Sequence, residues 1–240
     1  MAEPPRTTGT GEQNESLLAG HWIFAGTAPE SLAPLGARMR TRRYARGQLV
    51  FQRGDEGNAL YAVKSGQIKI CVTTGDGKEV VLNIMREGDL FGEIALLDGG
   101  DRTADAQAMA ASELLILDRR DFLDFLNRNP AVAINLLKVL TGRLRNTSEQ
   151  VEDVAAFDRS ARLARALMRL ARRFGEDTAA GIRLNLNVTQ SDIGNLVGMT
   201  RESMNKQLGE WREAGIILFE RGVVTIKDAD ALEDLALGEF

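Results

Sequence analysis

Between Leu49 and Leu117 the apolar residues come in short runs: LVF, ALYAV, QIKICV, EVVLNIM and ELLIL. The runs are of strand length, recur at roughly ten-residue spacing, and are broken by glycine- and aspartate-rich turns. TTGDGKE at 73–79 reads as a hairpin turn. This pattern predicts an all-β sandwich, jelly roll or barrel. After Leu117 the period changes. Asn129 can cap a helix and Pro130 suits its first turn. Leu137, Leu140, Leu144, Val151 and Val154 then follow at steps of 3, 4, 7 and 3. That is a heptad seam with one position skipped, at Thr147. The spacing predicts a long helix over 129–156 whose seam meets a second copy. A stripe facing the chain's own barrel would have the same spacing. Phe157 to Gly175 reads as another helix, with Leu163, Ala166, Leu167 and Leu170 on one face and six arginines over much of the rest. Residues 1–16 are polar, rich in Pro, Gly, Thr and Glu, and a disordered leader is expected to about residue 20.

Composition narrows the function classes. Of 240 residues, 44% are hydrophobic and 27% charged, the usage of a globular chain, and the net charge is −4. Contact with DNA therefore has to come from local arrangement. From Phe157 to Lys227 there are 12 Lys/Arg against 8 Asp/Glu, while the last 13 residues hold 5 acids and no base. The single cysteine, Cys71, allows no internal disulfide, thiolate zinc site or iron–sulfur cluster, and the single histidine, His21, allows no multi-histidine metal site. Cys71 is expected to be a buried strand residue, His21 a surface residue. No run of about 18 apolar residues and no signal-peptide core is present, so the expected compartment is the cytoplasm and no membrane contact is expected. Without a metal set or a second histidine, no enzyme is expected.

Two motifs carry chemistry. QSDIGNLVGMTRESMNKQLG at 190–209 has the layout of a helix-turn-helix. Ile193, Val197, Met199, Met204 and Leu208 fill the apolar positions that lock two crossing helices. Gly194 is the small residue at the crossing, Gly198 the turn glycine, and Thr189 and Thr200 the caps. Arg201, Glu202, Ser203, Asn205 and Lys206 lie near the N-terminus of the second helix, the end that enters a major groove. Arg and Lys suit guanine, and Glu accepts from cytosine N4. GIILFERGVVTIKD then gives a wing hairpin around Arg221-Gly222. The second motif is GDLFGEIALLDGGDRTA at 88–104. Gly92 opens a short helical turn whose N–H groups suit an anion, and Arg102 and Thr103 can clamp one phosphate opposite them. Glu93 repels phosphate but accepts from a ribose hydroxyl. A barrel corner with a Glu93–Arg102 ion pair would have the same residues.

The order of these parts and both motifs resemble the Crp/Fnr family of bacterial transcription regulators, nearest in type to its cyclic-AMP receptor (catabolite activator) branch, over about residues 22–227. The resemblance implies an α+β chain: an N-terminal antiparallel β jelly roll that binds cyclic nucleotide (21–128), a dimerisation helix (129–156) and a C-terminal winged helix-turn-helix (157–240). It implies that Glu93 binds the ribose 2′-hydroxyl, and that Arg102 and Thr103 bind the cyclic phosphate. Gly92, Ile94, Ala95 and Ala104 would line the site, with Arg143 on its phosphate side. Thr147 and Ser148 would meet the base, one from each subunit, at the skipped heptad position. DNA contacts are implied for Thr189, Gln190, Ser191, Thr200, Arg201, Glu202, Ser203, Asn205 and Lys206. The last stands where the best-known relative has Arg. The implied partners are a second copy, a TGTGA-like palindrome and RNA polymerase. Cyclic AMP is the leading effector. Cyclic GMP stays open, because Thr147 and Ser148 suit either purine and Arg102-Thr103-Ala104 also resembles cyclic-GMP-selective domains. A member with another effector or none is the remaining alternative. One cysteine excludes the family's four-cysteine oxygen sensors, and no Cys/His pair suits its haem sensor. Replacing Arg102 with alanine is expected to remove the nucleotide response and leave the fold.

Overall fold

The computed structural model describes residues 15, 18–186, 188–220 and 222–238, the side chain of Trp22 excepted. The chain divides into two compact units: 1–72 with 83–144, and 73–82 with 145–240.

In the first unit, apart from the tip of the β4–β5 hairpin at 73–82, a helix α1 (Pro29–Arg38) leads into strands β1 (Arg40–Tyr44), β2 (Leu49–Phe51), β3 (Ala59–Ser65), β4 (Ile68–Thr73), β5 (Glu79–Met85) and β6 (Leu90–Phe91). A short helix α2 (Glu93–Asp98) precedes β7 (Asp105–Ala108) and β8 (Ser112–Asp118), which are followed by α3 (Arg119–Arg128). The strands form two antiparallel four-stranded sheets, ordered β1-β8-β3-β6 and β2-β7-β4-β5, a jelly roll. Alternation along β3 and β8 sends side chains to opposite faces. Val63 and Leu114 meet Tyr44, Ile68, Met85, Phe91, Ala106 and Ala108 inside the roll. Leu60, Ala62, Leu115 and Leu117 pack outward on Leu32 and Leu35 of α1 and on Phe122 and Phe125 of α3. The 73–79 segment makes the expected turn, with Thr74 N–H donating to Lys78 O at 2.8 Å.

Leu18 is 3% exposed and joins this core, as do Ile23 and Phe24. The expected leader therefore stops short of residue 20, and what remains of it lies mainly outside the described residues. Cys71 is buried on its strand. His21 is half-buried rather than on the surface: its Nδ1 accepts from the Ile23 N–H at 3.2 Å, and burial lowers its pKa.

The long helix α4 (Pro130–Ala156) crosses from one unit into the other. Val132 and Leu136 are buried in the first unit's core, and Val139 packs against it. Ile134, Leu137, Leu144, Val151 and Val154 stay exposed, the last three at 64–68%. Of the heptad seam, Leu137, Leu144, Val151 and Val154 are thus exposed and Leu140 is half-buried.

In the second unit, Asp158 caps α5 (Arg159–Phe174), accepting from the Ala161 N–H at 2.8 Å. Strands β9 (Gly175–Thr178) and β10 (Gly181–Leu184) form a hairpin. Helices α6 (Gln190–Val197) and α7 (Arg201–Glu213) follow, then β11 (Ile217–Glu220), β12 (Val223–Ile226) and α8 (Ala229–Leu237). The sheet order is β11-β12-β10-β9. Glu220 pairs with Val223, and Arg221, on which the expected wing turn partly falls, lies outside the described residues.

Candidate nucleotide and DNA sites

Strand β6 pairs with β3, setting Phe91 against Tyr61 and delivering the chain to Gly92. Gly92 has φ +83°, and a Cβ there would come within 2.7 Å of an Arg102 guanidinium nitrogen. Only glycine supplies both the left-handed turn and that space. Two further glycines, Gly99 and Gly100, bring the chain back to Arg102, whose N–H donates to Asp55 O at 2.8 Å.

Arg102 is 4% exposed. It donates to the backbone oxygens of Gly92 and Ala59, each at 2.8 Å. Its guanidinium lies 4.4 Å from the Phe51 ring centroid and 5.5 Å from that of Tyr61, which stacks on Phe91. Burial draws the Arg102 pKa down, against the pull of Tyr61, Asp55 and Glu93. Arg102 is thus also a strut that ties three segments, so its replacement cannot leave the fold untouched. Phe51 and Tyr61 were not singled out in the sequence. Their signal was an aromatic on each of two strands leading into the motif.

Glu93 is 2% exposed. Its Oε1 lies 2.5 Å from Arg143 Nη1, an ion pair without the alignment of a hydrogen bond. The expected alternative partner, Arg102, is not its ion-pair partner. Arg143 also donates to Leu90 O. The structure therefore brings Gly92, Glu93, Arg102 and Arg143 together. Thr103 is exposed beside them. Ile94 points outward at 47% exposure, and the Ala95 and Ala104 side chains are buried, so these alanines offer backbone rather than side chain to a ligand. Thr147 and Ser148 are exposed on α4, one turn beyond Arg143. A buried carboxylate, a guanidinium and a glycine turn suit a ligand with a ribose hydroxyl and one phosphate.

In the second unit every predicted lock is buried: Ile193, Val197, Met199, Met204 and Leu208. A Cβ on Gly194 would lie 3.0 Å from Met199 O, which is why the crossing needs a glycine. Thr189 and Asp192 form a reciprocal capping box, and Thr200 accepts from the Ser203 N–H at 3.2 Å. Thr200 also donates to Ser203 Oγ, so the hydroxyls of Thr189, Thr200 and Ser203 are engaged in capping. Arg201, Glu202, Asn205 and Lys206 are exposed on one side of the first turns of α7, the spacing a groove-reading face requires. Gln190 is half-buried and Ser191 exposed at the start of α6. Among the described residues, no group of three or more His, Cys, Asp or Glu could hold a metal, and no helix is long and apolar enough to cross a membrane.

A nucleotide cassette and a DNA-reading helix pair on one chain define a transcription regulator with a ligand-binding domain. Comparison with known proteins agrees. Residues 41–129 match the family model of the cyclic nucleotide-binding domain, and residues 161–235 match that of the Crp-like helix-turn-helix domain. The chain is 34% identical over 218 residues to the CRP-like cAMP-activated global transcriptional regulator of Mycobacterium tuberculosis, covering 91% of this chain and 97% of the relative. It is 34% identical to the cyclic AMP receptor protein of Thermus thermophilus, covering 92% and 99%. A solved structure of a CooA mutant from Carboxydothermus hydrogenoformans superposes with a TM-score of 0.71 at 26% identity, covering 83% and 88%. The chain belongs to the CRP/FNR family. It is a cyclic-nucleotide-binding, DNA-binding transcription regulator.

Proposed function

We propose that cyclic AMP is the effector, that it acts on a homodimer, and that the liganded dimer reads a TGTGA-like palindrome in the cytoplasm and contacts RNA polymerase, with no chemistry done on the nucleotide. The observation that carries this reading is the Glu93–Arg143 ion pair, which joins the ribose-reading carboxylate to α4. A ribose hydroxyl that donates to Glu93 shares the charge that holds Arg143. Nucleotide binding thereby changes what the helix is held by. A phosphate drawing on Arg102 and Thr103 adds the second anchor. Because α4 also carries the exposed apolar seam, the same helix bears both the ligand signal and the dimer face. Two recognition helices set about 34 Å apart would then match one turn of DNA. The coupling can equal only the ligand's preference for the DNA-competent arrangement, typically about 1–3 kcal/mol. The names of the two 34% relatives support cyclic AMP.

Cyclic GMP is the second reading, favoured by the exposed Thr103 directly after Arg102. Calorimetric titration of the full chain with cyclic AMP, cyclic GMP and AMP separates them. Tighter binding of cyclic AMP, with AMP silent, is the expected result. Tighter cyclic GMP moves the effector to the second reading. Silence with both cyclic nucleotides refutes a cyclic-nucleotide effector.

A further inference from the structure

Asp153 lies near the C-terminal end of α4, on the side away from Val151 and Val154, and its side chain is 4% exposed. Both its oxygens are taken. Oδ1 accepts from Arg165 Nε and Oδ2 from Arg169 Nη1, each at 2.5 Å. The two arginines stand one turn apart on α5, so one carboxylate grips two successive turns of the next helix. Between the helices lies the break at Phe157 and Asp158. The Arg165 guanidinium covers the Phe157 ring, 4.2 Å from its centroid. The end of α8 is also close: a Cβ on Gly238 would lie 3.5 Å from that ring.

A solvent-exposed ion pair would mean little here. A buried carboxylate held by two guanidiniums is different, because the joint cannot open without breaking two charge-assisted bonds together. The neighbouring residues of α4 on both sides, Glu152 and Val154, are exposed, so Asp153 alone reaches inward at this turn.

We propose that Asp153, with Arg165 and Arg169, is a clasp that makes the joint between α4 and α5 rigid, and that these three are positioning residues through which a movement of α4 reaches the DNA-reading helices. A flexible joint at Phe157 would dissipate such a movement. The signalling half of this proposal rests on the nucleotide-gated reading above; the rigid joint does not.

The test uses the full chain with Asp153→Asn, Asp153→Glu and Arg169→Gln. Asp153→Asn keeps the shape and removes the charge. The arginine side chains are 25% and 23% exposed, so their freed charges can reach water and the variant can fold. Arg169→Gln leaves Asp153 paired with Arg165 and serves as the milder variant. The first readout is chymotrypsin cleavage after Phe157. Loss of one charge-assisted bond raises the open population, and so the cleavage rate, about tenfold. The second is the ratio of DNA affinities with and without cyclic AMP, on a TGTGA palindrome at fixed salt. Asp153→Asn is expected to reduce that ratio by about threefold or more, within the range over which intermediate residues tune coupling. Nucleotide affinity should be unchanged, and Asp153→Glu should restore both readouts at least in part. Unchanged cleavage in both Asp153→Asn and Arg169→Gln would overturn the clasp. Faster cleavage with an unchanged affinity ratio would overturn its role in signalling. A wild-type chain indifferent to cyclic AMP would sink the proposed function instead, and the cleavage arm would still decide the clasp.

Discussion

Replacing Arg102 with alanine removes two things at once, and the structure allows each to be sized. The guanidinium donates two hydrogen bonds to half-buried backbone oxygens, each at 2.8 Å. Hydrogen bonds to charged groups contribute about 1.5–3 kcal/mol each, so the pair is worth about 3–6 kcal/mol. The group's own desolvation, evident in its lowered pKa, offsets part of this, which favours the low end, about 3 kcal/mol. For a chain of this size that is a fall in Tm of about 6–12 °C. Ligand stabilisation is the second loss. Nucleotide at a hundred times its Kd stabilises the folded state by about 2.7 kcal/mol, a rise of about 5–11 °C. Differential scanning calorimetry of the full chain, with and without cyclic AMP, reads both. Arg102→Ala should melt lower and show no ligand shift. Thr103→Ala is the control: the side chain is exposed, so it should keep the melting temperature and lose only part of the ligand shift. An Arg102→Ala protein that melts with wild type and still responds to cyclic AMP would refute both the strut and the phosphate site.

Glu202→Ala should relax discrimination at one base position by about 1–3 kcal/mol while leaving nonspecific DNA binding intact, read by anisotropy on single-substitution duplexes. Leu144→Glu places a charge on the exposed seam, and sedimentation velocity should show a monomer whose own melting is little changed. His21 carries a pH prediction. Burial holds its folded pKa below the ordinary 6.5, so the unfolded chain binds the proton first as pH falls. Stability should therefore be full above about pH 6.5 and decline below it, and His21→Phe should flatten that decline in melts between about pH 7.5 and 5.

Much of this was legible before the fold was known, for physical reasons that differ by element. The helix-turn-helix could be read because its crossing admits few residue types: a glycine where Met199 O approaches Gly194, and apolar locks at fixed spacing. The stripe on α4 could be read from its spacing, but whether it faced the barrel or a second surface could not; the exposure of Leu137, Leu144, Val151 and Val154 supplies that. Strand β1, RTRRY, was missed because three arginines hide its alternation, although Thr41 and Tyr44 are buried. Strand β9 was missed because all four of its residues are exposed and polar or small, so pairing with β10 alone makes it a strand. Within the nucleotide site, the motif pointed to Glu93 and Arg102 but not to their partners. Arg143, 50 residues beyond Glu93, came only from the family resemblance and was placed on the phosphate side rather than against Glu93, and Ala59 O is a backbone atom that leaves no trace in a side-chain pattern. Side-chain burial was equally hidden: Ile94 and Ala95 are neighbours in the motif, yet one faces solvent and the other the core.

The most direct test of the account is the equilibrium affinity of the full chain for a TGTGA palindrome at one stated salt concentration, measured alone and with saturating cyclic AMP, cyclic GMP or AMP. The account predicts tight, sequence-specific binding only with a cyclic nucleotide, and strongest with cyclic AMP. Equal affinity in all four conditions would contradict nucleotide gating while leaving the DNA reader in place.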